Sequence, residues 1–427
     1  MGEEEKKEEA VSRRKYLGAI GGLAAAAVVG WGVAGYLASK PPAPAIEKTV
    51  TETKTITVTP AVTTPVKKYK WGLSPYYIDD DWYRVEVMGA QYYAEDRGYE
   101  LLVFNPHGNI ETQIKDIRHM VSALKIDGLV VTPCDLVVII DTLEWVHDQG
   151  IPIIATFYDV DTSVVDLSII SDFSLIGKAM AEEMIKAAQK DGVKIEGPLF
   201  IVTGPSVDYQ SKSLTNAQKS VFENYPDLKP IVLECPAWGT DEAIKNVVDG
   251  YHGYGKPFGI IGNNMTTSIG VVEGMKTAGI AVPRGSKGHI YTSTFDGAEA
   301  IWDYMEAGLI DCFADIPNPH IDSLAQDLLG IIKEKGVEGL PPVGAKVISD
   351  WSKPEGPQPD GSWNILLHGK EHKGVNPFKV APWAPAEMII YEGLHRRLNC
   401  PAAIVTPEKL ADYKLISWVS LVKAWLG

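Results

Sequence analysis

From Tyr69 onward, short apolar runs alternate with stretches whose apolar residues recur every third or fourth position. The runs read as strands and the periodic stretches as amphipathic helices. In a first set, Trp71-Gly72-Leu73-Ser74, Glu100 to Phe104, Asp127 to Thr132 and Ile151 to Phe157 predict strands. Between them lie a helix over 82–97, one over Ile110, Ile114, Ile117, Val121 and Leu124, and one over 136–149 that stops at Gly150. A second set begins with a helix face of Ile176, Met180 and Met184. Strands over 198–203, 230–234, 258–262 and 290–294 then alternate with helices over 209–224, 241–251, 266–278 and 298–307. Strands flanked by helices indicate parallel sheets covered on both faces. The expected fold class is therefore α/β, with two doubly wound Rossmann-like lobes joined by a hinge. The expected boundaries are 69–171 plus about 316–345 for the first lobe and 172–315 for the second. Chain crossings are expected near Ser171-Asp172, near Asp315-Ile316 and again near Pro342 to Ser349. Ligands of such sheets sit at the carboxyl ends of the strands, so two facing lobes predict one site between them.

The chain ahead of Tyr69 has a different pattern. Ser12-Arg13-Arg14-Lys15-Tyr16-Leu17 resembles the twin-arginine export signal, and Gly18 to Ala38 follows without a charge. That run is long enough to cross a bilayer as a helix. Residues 1–38 read as a signal and membrane anchor. No Cys follows the apolar run, and Leu37-Ala38-Ser39 matches a cleavage site poorly, which favours an uncleaved anchor. Residues 39–68 read as a linker, with Pro41-Pro42-Ala43-Pro44 followed by threonines at 49, 51, 53, 55, 57, 59, 63 and 64. It has no apolar face to bury, so a Thr/Pro-rich stalk fits better than a strand.

Residues 346–427 form a C-terminal extension. Trp363, Trp383, Trp418 and Trp425 add apolar surface, and 408–425 reads as one amphipathic helix. The expected role is a wrap that packs on the lobes. A partner-facing or self-association surface is the other reading.

Charge narrows the function. The net charge is -15 and no Lys/Arg stripe appears, so a nucleic-acid partner is not expected. Four cysteines, Cys134, Cys235, Cys312 and Cys400, stand far apart without a CxxC spacing. They leave buried free thiols and one or two disulfides both open, and they make no metal framework. His107, His119 and His320 show no metal-ligand spacing either. Neither a metal nor a cofactor is expected.

The strand ends carry the candidate chemistry. Asp79-Asp80-Asp81-Trp82-Tyr83 follows the first strand, Thr132-Pro133 the third and Phe157-Tyr158-Asp159 the fourth, and Ser171-Asp172 lies between the two sets. In the second set the strand ends are followed by Lys212, Trp238, Asn264, Phe295-Asp296 and Asp315. Aromatic faces receive the C–H faces of a sugar ring, and carboxylates and an amide receive its hydroxyls. The candidate ligand residues are Asp80, Trp82, Tyr83, Thr132, Tyr158, Asp172, Lys212, Trp238, Asn264, Phe295, Asp296 and Asp315. Asp296 has a second reading as a helix N-cap, since a helix follows Gly297.

From Lys70 to about Ser349 the chain resembles the ribose/galactose-type solute-binding proteins of sugar ABC transporters, the periplasmic-binding type I group. The matching residues are Gly89-Ala90-Gln91 with Gly98-Tyr99, Asp127 to Pro133, Gly150-Ile151-Pro152-Ile153 and Ser171-Asp172. Asn264, Gly270, Thr277-Ala278-Gly279 and Phe295-Asp296-Gly297 follow in order. The resemblance implies a non-enzymatic binder that closes on a small sugar or polyol outside the cell and serves an ABC permease. It places the family's first-helix aromatic pair on Trp82-Tyr83 and the polar residue just before it on Asp80. The second-lobe aromatic falls on Trp238, the amide on Asn264, the Phe-Asp pair on Phe295-Asp296 and the hinge-side Gln on Asp315. The family's Asp-Arg pair falls on Phe157-Tyr158 and its second-lobe arginine on Lys212. Losing both arginines argues for a neutral ligand over a phosphorylated or acidic sugar. Alternatives are a surface structural or adhesive protein that reuses the fold, and a binder of a nucleoside or cationic small molecule. Repressors share the lobe fold but carry an N-terminal helix-turn-helix, where this chain has an export signal.

Overall fold

The computed structural model describes residues 69–426 except 80, 373 and 375. The signal and anchor reading of 1–38, the linker reading of 39–68 and the candidate Asp80 lie outside the described residues. Among the described residues no helix is long and apolar enough to cross a membrane.

The first lobe opens with β1 (Lys70–Ser74), α1 (Asp81–Arg97), β2 (Glu100–Val103), α2 (Ile110–Ser122), β3 (Gly128–Val131), α3 (Ile140–Asp148), β4 (Ile153–Thr156) and β5 (Leu167–Ile170). The five strands are parallel in the order β2-β1-β3-β4-β5. Every residue of β3, β4 and β5 is buried, as strands covered on both faces require. Several helices start where a side chain satisfies their first amides. Asn109 caps α2 by accepting from the Thr112 N–H at 2.8 Å.

The second lobe runs α4 (Phe173–Lys190), β6 (Gly197–Thr203), α5 (Tyr209–Phe222), β7 (Leu228–Glu234), α6 (Thr240–Tyr254), β8 (Gly259–Gly262), α7 (Met265–Thr277), β9 (Tyr291–Phe295), α8 (Glu299–Glu306) and β10 (Cys312–Asp315). Its parallel strands lie in the order β10-β9-β8-β6-β7. The chain then returns to the first lobe through α9 (Asn318–Lys335), which packs on α1, β3 and β4. Gly89 permits that packing, because a Cβ there would lie 2.4 Å from the Pro319 carbonyl oxygen. Gln326 Nε2 donates to the Ala90 carbonyl at 2.9 Å and seals the contact.

The extension enters both sheets. It contributes β11 (Lys346–Ile348), β12 (Gly356–Pro357), β13 (Trp363–Asn364), β14 (Ala386–Tyr391), β15 (His395–Asn399) and β16 (Ala403–Val405). β15 runs parallel to β5 with Arg396 opposite Leu167 and Asn399 opposite Ile170. β14 is antiparallel to β15 and β11 to β14, and the first sheet becomes a 10-stranded one. β16 pairs antiparallel with β10, so the second sheet has 6 strands. Trp383, Met388 and Leu398 are fully buried and join the core that also holds Trp71, Ile154 and Leu324.

Two expectations change here. The segment 342–349 is no crossing, because Val347 pairs with Ala386 inside the first sheet. The chain passes to the second sheet between β15 and β16, at Cys400-Pro401-Ala402. The single tail helix is also broken, into α10 (Leu410–Ile416) and α11 (Trp418–Leu426). Ser417 between them is extended at φ -68° and ψ 152°, and its hydroxyl accepts from the Ser420 N–H at 3.3 Å. A serine that caps a new helix overrides the apolar period.

The four cysteines are all free thiols, with Cys235, Cys312 and Cys400 buried and Cys134 half-buried. Burial pushes Cys134 up to about 12 and Cys235 up to about 11.

Strand pairing in the tail makes a quantitative expectation. Leu398→Ala should destabilise the protein by about 2–5 kcal/mol, as a buried core leucine does. Urea denaturation checks it, and a loss below about 0.5 kcal/mol would mean that the extension merely drapes over the lobes.

Candidate functional site

A cleft of about 630 Å³ lies between the carboxyl ends of the two sheets. Its first wall carries Tyr76 and Tyr77 after β1, Trp82 and Tyr83 in the first turn of α1, Pro133 to Val137 after β3, and Phe157 and Tyr158 after β4. The opposite wall carries Phe173 at the start of α4, Asp208, Tyr209 and Gln210 at the start of α5, Trp238, Asn264 to Thr266, and Phe295-Asp296 after β9. Among the described residues its lining contains three carboxylates, Asp135, Asp208 and Asp296, and no Lys, Arg or His.

The aromatic rings form two continuous sets. Trp82 lies 4.9 Å from Tyr83 and 5.2 Å from Phe157, both edge-on. Tyr77 lies 4.5 Å from Tyr83. Phe173 connects Tyr158 at 6.2 Å, Tyr209 at 6.3 Å and Phe295 at 6.1 Å, which joins the walls at the back of the cleft. Tyr83 and Tyr158 are hydrogen-bonded to each other, and burial holds both phenols well above their ordinary value. They are neutral at any physiological pH.

Backbone strain collects at this site. Phe157, Trp238 and Asp296 have φ of 64°, 55° and 70°, the left-handed region that bulky residues rarely occupy. Each follows the end of a strand, β4, β7 or β9, and lines the cleft. Such outliers persist only where the surroundings hold them, and they cluster at functional positions. Trp238 is held against Gly204, where a Cβ would lie 2.0 Å from the indole. Its carbonyl accepts from the Thr266 hydroxyl at 2.5 Å.

The polar groups of the second wall share a helix start. Asn264 caps α7, its Oδ1 accepting from the Thr267 N–H and the Thr267 hydroxyl, each at 2.8 Å. Asp296 Oδ2 accepts from the Met265 N–H at 2.9 Å. Asp296 therefore serves the start of α7, and the N-cap of α8, Ala298, makes no side-chain bond. Asp208 caps α5 by accepting from the Ser211 N–H at 2.9 Å, and burial raises its pKa.

Seven of the sequence candidates line this cleft: Trp82, Tyr83, Tyr158, Trp238, Asn264, Phe295 and Asp296. Four others do not. Thr132 is fully buried within the sheet, its hydroxyl 2.9 Å from that of Thr156. Asp172 caps α4 and pairs with Arg397 at 2.8 Å, behind the cleft. Lys212 is exposed in a groove beside Ser174 and Lys178 of α4, about a turn past the rim residue Tyr209. Asp315 is buried at the second crossing, where it accepts from the Tyr413 hydroxyl and the tail covers it. That tail contact is invisible to a reading of strand ends. Sequence reasoning missed Tyr76-Tyr77, Phe173, Asp135 and Asp208-Tyr209. The first pair closely follows the first strand, and Tyr209 is the start that the sequence predicts for α5, so element boundaries carried a usable signal.

Burial pushes the Asp315 carboxyl from its ordinary 3.8 up to about 7. A carboxyl raised in the folded state holds its proton more tightly there than in the unfolded chain. The stability it adds is complete below about pH 4 and is lost as pH rises to about 7. Wild type should therefore lose on the order of 2–3 kcal/mol more than Asp315→Asn between pH 5 and pH 7. Urea unfolding of both proteins at the two pH values reads the difference, and parallel pH profiles would contradict it.

Comparison with known proteins adds to this geometry. A family model described as a periplasmic binding protein domain matches residues 71–332. The D-apiose import binding protein of Actinobacillus succinogenes is 21% identical over 231 residues, covering 54% of this chain and 70% of its own. The D-xylose-binding periplasmic protein of Escherichia coli is 22% identical over 193 residues, covering 44% of this chain and 56% of its own. Among solved structures, a solute binding protein from Burkholderia graminis in complex with D-arabinose aligns with a TM-score of 0.60 at 15% identity, over 82% of this chain and 99% of its own. A galactofuranose binding protein aligns with a TM-score of 0.58 at 17% identity, over 81% and 96%. The structural likenesses establish a shared two-lobed fold.

Proposed function

We propose, from the premise that this chain belongs to the periplasmic binding protein domain family, that it captures a small neutral sugar or polyol between its lobes for an ABC importer. The carrying observation is the composition of the cleft among the described residues: aromatic faces on both walls, three carboxylates, and no basic side chain in the lining. Stacked rings suit the C–H faces of a pyranose or furanose, and carboxylates accept its hydroxyl protons. An acidic or phosphorylated sugar would meet uncompensated negative charge. The named relatives, binders of D-apiose and D-xylose, support the same ligand class.

In this reading Trp82, Tyr83 and Trp238 are the ring platforms. Asp296 and Asn264 meet hydroxyls from the second wall, with Asp135 and Asp208 added at the rim. Tyr158 contributes a neutral phenol. Thr132, Asp172, Lys212 and Asp315 lie outside the lining and make no direct ligand contact in this reading. Binding favours a state in which the walls approach, since a ligand shifts only an equilibrium whose two states it binds unequally. The reading has no chemical step, and no residue is assigned a catalytic role. Export by the twin-arginine route and an uncleaved anchor at 1–38 would hold the head outside the cytoplasmic membrane, near its permease.

Isothermal titration against D-apiose, D-xylose, D-arabinose, D-allose and myo-inositol tests the capture reading. Trp82→Ala and Trp238→Ala should each weaken the bound sugar by about 1–3 kcal/mol, whereas Lys212→Ala should change it by less than about 0.5 kcal/mol. Wild-type affinity in both tryptophan variants would remove the cleft from consideration.

For export, replacing Arg13 and Arg14 together by Lys keeps the charge and should leave the protein in the cytoplasm on cell fractionation. Normal delivery of that double variant would contradict the twin-arginine reading.

A further inference from the structure

We propose that Arg397, supplied by the C-terminal extension, is a positioning residue of the cleft that sets how far the lobes stand apart before ligand arrives. Its effect on affinity rests on the capture reading above; its geometry does not.

Arg397 is a buried residue of β15. Its Nη1 lies 3.0 Å from Asp159 Oδ2, and its Nη2 donates to Asp172 Oδ2 at 2.8 Å and lies 3.3 Å from Asn399 Oδ1. Asp159 directly follows the cleft residue Tyr158, and Asp172 directly precedes the cleft residue Phe173. One guanidinium therefore ties the loop of the first wall to the helix start of the second, at the first crossing.

Each carboxylate gives one oxygen to a neighbouring serine and turns the other to the arginine. Asp159 Oδ1 accepts from the Ser168 hydroxyl at 2.6 Å, and Asp172 Oδ1 accepts from the Ser174 N–H at 2.9 Å. The planar fork of arginine serves two separated acceptors at once, which the single ammonium of lysine does not reproduce. The same hairpin holds the rest of the loop. The Tyr391 hydroxyl donates to Asp161 at 2.7 Å, and His395 Nδ1 lies 2.9 Å from the Thr162 carbonyl. Arg397 does not line the cleft, so it reaches a ligand only through Phe157, Tyr158 and Phe173. A looser tie lowers the fraction of molecules whose walls are placed to bind, and apparent affinity falls with that fraction.

Two variants separate positioning from bulk stability. Arg397→Lys keeps the charge but loses the fork. Asp172→Asn weakens the arm to the second lobe while retaining an oxygen that caps α4, so its melting temperature should stay near wild type. Nitroxide labels carried on unnatural amino acids at the exposed positions Lys115 and Lys219, one on each lobe, report the lobe separation by pulsed electron resonance. In the unliganded protein both variants should broaden and shift the distance distribution. The affinity for whichever of D-apiose, D-xylose or D-allose wild type binds should fall about tenfold, through slower association. An unchanged distribution in both variants overturns the proposal. So does earlier melting with wild-type separation and affinity, which would make Arg397 a stabilising residue only. Failure of wild type to bind any of the three sugars would count against the capture reading, while the unliganded distances would still decide the role of Arg397.

Discussion

The parallel pairing of β15 with β5 is the constraint on which the rest of the architecture depends. β5 is the last strand of the first lobe's doubly wound set and leads directly into the second lobe through Asp172. β15 lies beside it in register and leads there too, through Cys400-Pro401-Ala402. Two neighbouring strands that leave one sheet for the other restrict the lobes to bending about a common edge. The pairing also satisfies the backbone groups of β5, which would otherwise form an open edge in the middle of a two-lobed molecule. Without it Arg397 would have no fixed position, and the loop after β4 would lose its backing.

Around that edge the protein buries an unusual set of ionisable groups. Asp315 is capped by Tyr413 from the tail, and burial raises it to about 7. His320, at the start of α9, is depressed to about 4 by burial and lies 3.2 Å from the Pro377 carbonyl. Asp322 bonds to Glu86 of α1 in the same layer, and burial pushes it up to about 6. Buried carboxyls that are held by specific partners contribute little net stability but penalise alternative arrangements. They lie where α1, α9 and the extension converge, behind the wall that bears Trp82.

The cleft itself spends backbone strain on side-chain aim. Phe157, Trp238 and Asp296 each turn left-handed just past a strand, and the three point their side chains into one space. Trp238 shows how several weak features combine. Gly204 admits its ring, Thr266 fixes its carbonyl, and Asn264 fixes Thr267 in the same helix start. Known relatives with the same fold share only about a fifth of their residues with this chain. Such a distance preserves lobes and crossings, while the lining that selects a ligand is free to change.

The sequence by itself determined the two-lobed α/β class, because strand and helix periods are local and each βα unit announces itself. It also determined part of the cleft, since Trp82, Tyr83, Tyr158, Trp238, Asn264, Phe295 and Asp296 follow strand carboxyl ends, where this topology places ligands. Only the tertiary structure decided the remainder. Lys212 belonged to the right helix, but it lies about a turn past the cleft-lining Tyr209 and is exposed beside α4 instead of in the cleft. Asp172 and Asp315 stood at the right crossings, yet their partners, Arg397 and Tyr413, lie more than two hundred and about a hundred residues away in the chain. Nothing local marks such pairs. The extension was legible as apolar and aromatic, but its short strands carry too little period to show which sheet edge they complete. Edge pairing is chosen by the whole fold, since it depends on which strands the rest of the chain leaves open.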